Sequence, residues 1–455
     1  MDIRNALMAA GLALSAAASC HAEVSAEEAK QLGGTLTFLG AEVAGNKDGT
    51  IPPYTGGLVD VPDSVKGKYK PGSGRYPDPF ADDKPLAVVT AQNMGQYADK
   101  LSEGAKELFK RYPNYRMNVY QTRRTIAFPK YYQDSSIQNA TRAKVSNNGL
   151  TVTGAWGGTP FPIPKSGVEV MWNKLLSNRG MAFESRQRLW YVDATGKAVN
   201  PVDIMLRLHY MVFNSDAKPG KFYYQSVSET FGPARIAGTK SIVHEGFDAS
   251  SGSGRIYWNL VPGQRRVRLA PDQDYDTPVT AAAGTYFYED ISGFYGSVGR
   301  HDFKLIGKKE MLIPYNSHRM QYEAPLDKLL TKGVLNPDYA RWELHRVWVV
   351  EAKPKAGVRH AYSKRMFYFD EDSWGAGATD SWDQSGKLYR SAFIDASERY
   401  GDLATNDNLW WVYDFSSGAY SITQNKSDPD LYTKSIPPMP AREVDPEAMA
   451  ANAVR

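Results

Sequence analysis

The sequence predicts a mainly β protein of the α+β kind, in which a large antiparallel sheet carries a few helices. Three observations support this. Among 455 residues are 28 Tyr, 10 Trp and 17 Phe, with 39 Gly and 27 Pro; aromatic side chains suit a pleated, half-buried surface, and Gly and Pro suit its corners. From Met181 to Tyr420 the apolar residues recur mostly at every second position, the period of a strand. Turn signals such as Asp193-Ala-Thr-Gly196, Pro262-Gly263, Pro354-Lys-Ala-Gly357, Asp383-Gln-Ser-Gly386 and Ser416-Ser-Gly418 punctuate that stretch at hairpin length. Charged residues make up 23% and hydrophobic residues 42% of the chain, which disfavours disorder and a multi-span membrane protein. The net charge of +4 is too small and too evenly spread to indicate a nucleic-acid partner.

Residues 1–22 read as a secretory signal: Arg4, a small and apolar stretch from Ala6 to Ala18, then Ser19-Cys20-His21-Ala22. The apolar run is about a dozen residues, short of the roughly 20 that span a bilayer, and no later stretch is suited to span one. The expected location is therefore the periplasm. Cys20 is the single cysteine. Cleavage after Ala22 removes it, whereas cleavage before it would leave a lipidated first residue and an outer-membrane association; Ala17, where a lipid box wants Leu, argues for removal. Neither route leaves a disulfide framework.

Residues 23–89 are expected to hold a short helix, Ser25 to Gln31, ended by Gly33-Gly34, and a long Gly/Pro-rich loop from Gly40 to Pro79. Residues 90–425 form the predicted sheet domain. It opens with a helix near 90–112, where Met94, Tyr97, Ala98, Leu101, Ala105 and Leu108 recur at helical spacing behind Thr90 as cap. Tyr115 to Phe128 reads as extended, and a second helix is expected near 168–177. Strands are expected at Arg188–Asp193, Lys221–Val227, Arg255–Leu260, Arg265–Leu269, Phe303–Ile306, Glu310–Tyr315, Trp342–Ala352, His360–Phe369 and Leu388–Phe393. Residues 426–455, rich in Pro and Ala, read as a flexible tail.

No convergent catalytic set is visible. Zinc chemistry needs clustered ligands, yet His209, His244, His301, His318, His345 and His360 are isolated in sequence, and Glu343-Leu-His345 lacks a nearby third partner. Asp272-Gln-Asp274-Tyr-Asp276 begins like a calcium loop but has Thr277 at the turn glycine and no later Glu. Ser251-Gly-Ser-Gly254 and Gly296-Ser-Val-Gly299 read as turns, not a nucleophile elbow. Glu289-Asp290 and Asp370-Glu371-Asp372 read as solvated loop charges, although a glycosidase pair would use such residues. Arg266 and Arg268 share a face with Gln264, which suits a polar outer surface or an anionic head-group contact. Trp258, Trp348, Trp374, Trp410 and Trp411 read as core.

Several long motifs occur in order along the chain: Gly40-Ala-Glu-Val-Ala-Gly-Asn-Lys-Asp-Gly-Thr-Ile-Pro52, Gly157-Gly-Thr-Pro-Phe-Pro-Ile-Pro164, Pro262-Gly-Gln-Arg-Arg-Val-Arg268 with Tyr275-Asp-Thr-Pro278, Leu305 to Asn316, Glu343 to Val350 and Tyr362 to Trp374. With these the chain resembles, over roughly residues 24–425, a bacterial family known as domain of unknown function 1329. The family is similar in predicted fold to the carriers of the Lol lipoprotein-sorting system. That resemblance implies a strongly curved antiparallel sheet or incomplete barrel, with helices on its concave side and acyl chains held inside. It also implies a resistance-nodulation-division-type transporter and an outer-membrane protein as partners. The expected function is thus a periplasmic carrier or chaperone for a lipid-like molecule, with neither cofactor nor chemistry. The expected lining is Ile256, Trp258 and Leu260, with Val347 and Val349 or their opposite-face neighbours Trp348 and Val350; Arg266 and Arg268 are the head-group candidates. Strand period cannot say which face is concave. A polysaccharide-acting enzyme and an assembly module of an export complex remain alternatives.

Overall fold

The computed structural model describes residues 24–453 apart from 217, 251–253, 264–265, 271–274, 407–408 and 424–425. The signal segment with Cys20, and Asp272 and Asp274 of the calcium-like run, lie outside the described residues. The molecule is mostly β, and its sheet is open. Among the described residues one sheet of 16 strands dominates, nearly every pairing antiparallel, with two small ribbons beside it. Strand Ala182–Val192 is its hinge. On one side it pairs with Ala198–His209; on the other it pairs end to end with two late segments, Ala419–Thr423 and Tyr432–Ser435. From Ala198–His209 the sheet continues through Phe222–Gly232, Lys240–Gly246 and Arg255–Leu260 to the edge strand Val267–Leu269.

Strand Ala198–His209 contains Pro201 and was not among the expected strands. Its register shifts where Leu189 opposes Val202 but Tyr191 opposes Val199, so the proline falls in an irregular step that lacks a regular ladder bond. The two segments expected at Phe303–Ile306 and Glu310–Tyr315 are one strand, His301–Pro314, with a shift between Leu305 and Gly307 that leaves Ile306 exposed.

The single helix expected near 90–112 is two pieces. A 3-10 stretch covers Met94–Lys100, Leu101 is extended, and an α-helix covers Glu103–Arg111. The break is tertiary: Ser102 caps the Ala105 N–H, and Asp380 accepts the N–H groups of Glu103 and Gly104 at 2.8 and 2.9 Å, so a buried carboxylate takes the orphan donors of a helix start. The second helix, Gly167–Leu175, lies where expected. Within the stretch expected to be extended only Arg116–Val119 is strand, and an unexpected helix, Lys130–Arg142, follows it.

The C-terminal tail is folded rather than flexible. Beyond strand Tyr432–Ser435, helix Pro446–Ala453 packs on the outer face of the sheet, where Met449 meets Ile242 and Leu260. Met449→Ala is expected to cost about 2 kcal/mol, read as a shift in the urea midpoint; no shift would mean that the tail is not docked.

Asp395 supplies a second test. It is wholly buried, accepts the Ser317 N–H at 3.0 Å, and burial raises its carboxyl to about 7. The folded chain therefore holds this proton more tightly than the unfolded chain, and stability from this group falls as pH rises from about 4 to about 7. Asp395→Asn is expected to remove that loss and raise the melting temperature at pH 8, by at most about 4 kcal/mol in stability. An unchanged pH profile would contradict it.

Candidate functional site

Five neighbouring strands curve around a cavity of about 440 Å³. Side chains reach it at every second position, as the pleat requires: Val202, Ile204, Leu206 and Leu208 from one strand, Ser226, Ser228 and Thr230 from the next, then Ser241 and Val243, then Tyr257 and Asn259. The wall is thus aliphatic on one side and rich in hydroxyls on the other. Residues 279–295 lie across the hollow as a lid. Tyr288, Ile291 and Tyr295 point into it, and Tyr286 packs edge-on against Trp410, with ring centres 4.9 Å apart.

The far side of the lid is pinned by charge. Glu289 and Asp290 are buried, and Arg365 holds each of them at 2.6 Å. Tyr362 donates to Asp290 at 2.7 Å and accepts from Arg390 at 2.9 Å. Expected as solvated loop charges, these carboxylates are instead the core of an ion-pair network, because Arg365 and Arg390 arrive from strands far along the chain. Asp370-Glu371-Asp372 is buried likewise: Arg124 grips Asp372 through two hydrogen bonds, and Arg346 and Lys308 hold Glu371.

Folding brings together histidines that are isolated in sequence. Glu289, His301 and His360 converge within 4.8 Å, as do His345, Asp370 and Asp372. His360 accepts the Tyr362 N–H at Nδ1, and its Nε2 lies 3.0 Å from Glu289. Burial above all, then Arg365 and the cations beside it, depress His301 to about 2. Burial alone would lower His345 too, but its contacts with Asp370 and Glu343 outweigh that and raise it to about 9. A protonated imidazole between two carboxylates is already the cation of that site.

At one end of the hollow Arg255 pairs with Glu245 at 2.6 Å and lies between the rings of Tyr275 and Tyr295, 4.3 and 4.4 Å from their centres. Burial pushes the Glu245 carboxyl up despite this partner, and pushes the Tyr224 and Tyr295 hydroxyls up as well. Arg179 donates to the Tyr210 hydroxyl at 3.1 Å on the neighbouring wall. Among the described lining residues none is Asp or Glu.

The expected lining residues lie elsewhere. Ile256, Trp258 and Leu260 are on the outer face, where Leu260 and Trp258 meet Met449; their alternates Arg255, Tyr257 and Asn259 face the hollow. The physical reason is that both faces are covered, one by the lid and one by the tail, so both carry apolar residues. Val347, Val349 and Val350 are buried in the main core, and Trp348 stacks on Trp374 at 6.0 Å; none of the four lines the hollow. Arg266 and Arg268 are exposed. Arg268 opposes Asn259 in register, which sets its side chain on the hollow's side at the open sheet edge. Of the tryptophans read as core, Trp410 faces the hollow.

Three solved structures are similar to part of this chain. One is a domain from Vibrio parahaemolyticus named for outer membrane lipoprotein sorting, 13% identical, TM-score 0.43, covering 62% of this chain and 98% of its own. Another is a DUF1329 family protein from Desulfovibrio piger, 14% identical, TM-score 0.42, covering 62% and 97%. The third is a LolA superfamily protein from Nitrosomonas europaea, 12% identical, TM-score 0.36, covering 62% and 97%. An uncharacterized protein of Pseudomonas aeruginosa is 39% identical over 417 residues, 90% of this chain and 89% of its own. The family model described as protein of unknown function (DUF1329) matches residues 88–450. With four-fifths of its length under that model and a full-length relative beside it, the chain belongs to the DUF1329 family.

Proposed function

We propose that the protein is a periplasmic carrier that holds one lipid-like molecule in the hollow beneath residues 279–295 and passes it on unchanged. One observation carries the reading: a cavity of about 440 Å³, walled by alternate residues of a curved sheet, that the chain's own side chains leave unfilled. Each acyl methylene buried there contributes about 0.8 kcal/mol, so about a dozen carbons offset the cost of ordering the guest. The binding residues on this reading are Leu206, Leu208, Ser226, Val243 and Tyr257, with Arg268 at the rim. Delivery to a resistance-nodulation-division-type transporter and an outer-membrane protein completes the proposal. A polysaccharide-cleaving reading lacks support, since such enzymes need two carboxylates facing each other across the substrate and the described lining offers none. The assembly-module reading expects a packed interior, and the hollow counts against it.

The test is native mass spectrometry of protein taken from its own periplasm, followed by lipid extraction. The expected result is one apolar guest at near-unit occupancy, lost on extraction and regained on incubation with the extract. Protein that is empty when isolated and that takes up nothing from the extract would overturn the reading.

A further inference from the structure

We propose that the guest is an anionic amphiphile, its head at the end of the hollow bounded by Arg179 and Arg255 and its tail running toward Leu189 and Trp410. The proposal rests on the carrier reading and names the class of ligand.

Strand register orders the wall into rows. Phe183, Leu208, Ser226, Val243 and Tyr257 oppose one another in turn across the middle. One step toward one end, Tyr224, Glu245 and Arg255 are in register. Arg179 joins that row through Tyr210, whose ring centre is 4.9 Å from that of Tyr224; Tyr224 in turn meets Tyr295 at 6.1 Å, and Tyr295 lies against Arg255. The result is a belt of three tyrosines with a guanidinium at each end. One step the other way the row is Ser185, Leu206, Ser228, Ser241 and Asn259; beyond it Ile204, then Leu189 with Val202, form an aliphatic stretch that Val279 and Trp410 close.

The charges on the described lining are Arg179, Arg188 and Arg255, with no carboxylate. Arg188 stands at the tail end and is matched by Asp203 and Asp428 at 3.3 and 2.5 Å, and Arg255 is matched by Glu245 at 2.6 Å. The belt end has more positive charge behind it. Arg399, 1% exposed, has its guanidinium 5.3 Å from the ring of Phe183 and donates to the carbonyl of Arg179. Its Nε and Nη1 atoms have no partner. A buried cation in a low-dielectric wall projects its field into the adjoining cavity. Guanidinium and tyrosine hydroxyl donors together form charge-assisted bonds to a carboxylate or phosphate, whereas the one carboxylate in that row, Glu245, is already taken by Arg255.

The test uses the full chain stripped of lipid, with N-phenyl-1-naphthylamine as a neutral probe of the hollow. Laurate, dodecyl phosphate, dodecanol and dodecylammonium, which share one tail, compete for it near neutral pH. Laurate is expected to bind at least about tenfold tighter than dodecanol, with dodecylammonium weakest. Arg179→Gln is expected to narrow the gap between laurate and dodecanol. Dodecyl phosphate matching laurate makes the recognition general for anionic heads, whereas laurate alone confines it to carboxylates. Equal binding of laurate and dodecanol, or tightest binding of dodecylammonium, overturns the proposal and leaves the carrier reading standing. A hollow that takes neither probe nor any of the four removes the carrier reading and the proposal with it.

Discussion

Arg365→Met is expected to destabilise the fold by about 3–5 kcal/mol, because it strands two buried carboxylates without their cation. Arg365 is itself wholly buried and serves Glu289 and Asp290 together. Replacing it with an apolar residue of similar length leaves volume nearly unchanged, so the loss reports charge rather than packing. The same substitution loosens the lid, since Glu289 and Asp290 flank the residues that face the hollow. Ligand release is therefore expected to quicken along with the drop in the urea midpoint. Adding Glu289→Gln and Asp290→Asn to Arg365→Met should restore part of the stability, as the stranded charges are gone. A loss under about 1 kcal/mol in the single variant would contradict the pinned lid.

Ser226→Trp is expected to block the hollow. Ser226 sits mid-wall between Leu208 and Val243 in register, so an indole placed there enters space the chain leaves open. Binding of an apolar probe should weaken at least about tenfold, while stability changes by about 1 kcal/mol or less because little has to be displaced. Tryptophan at the exposed Val199 is the control. Unaltered binding in Ser226→Trp, with the control equally unaltered, would place the guest elsewhere.

The strands were legible where their own side chains decide them. Arg255–Leu260 alternates cleanly and is a strand over those residues, and the turns at Gly196 and Gly386 fall where Asp193 and Asp383 can accept the following N–H groups. Which face is concave was not legible. Trp258 and Leu260 are apolar because a tail nearly 200 residues away covers them, and Tyr257 faces the hollow although it is no less aromatic. Helix Lys130–Arg142 was hidden because it buries Ser136 and Asn139 beside Tyr132 and Ala140, so its inward side lacks the apolar stripe that marks a helix. Its missed signal is the proline at 129, just ahead of the first turn. The continuous apolar spacing from Met94 to Leu108 concealed a break that only Asp380, more than 270 residues later, imposes. The carboxylate clusters looked solvent-facing because their arginines are remote in sequence. The belt tyrosines were counted in composition, but Tyr210 and Tyr295 lie outside the strands and meet Tyr224 only in the folded chain.

The hinge strand Ala182–Val192 cannot complete its hydrogen bonding until Ala419–Thr423 and Tyr432–Ser435 exist to border it. The five strands of the container end at Leu260, about 160 residues ahead of the seam that starts at Ala419, so the greasy inner wall stays unbordered, and open to aggregation, until those late segments find it. Folding should be correspondingly slow, as distant pairings must find each other before local ones are rewarded. Amide exchange along that border is then expected to be the last protection gained during refolding.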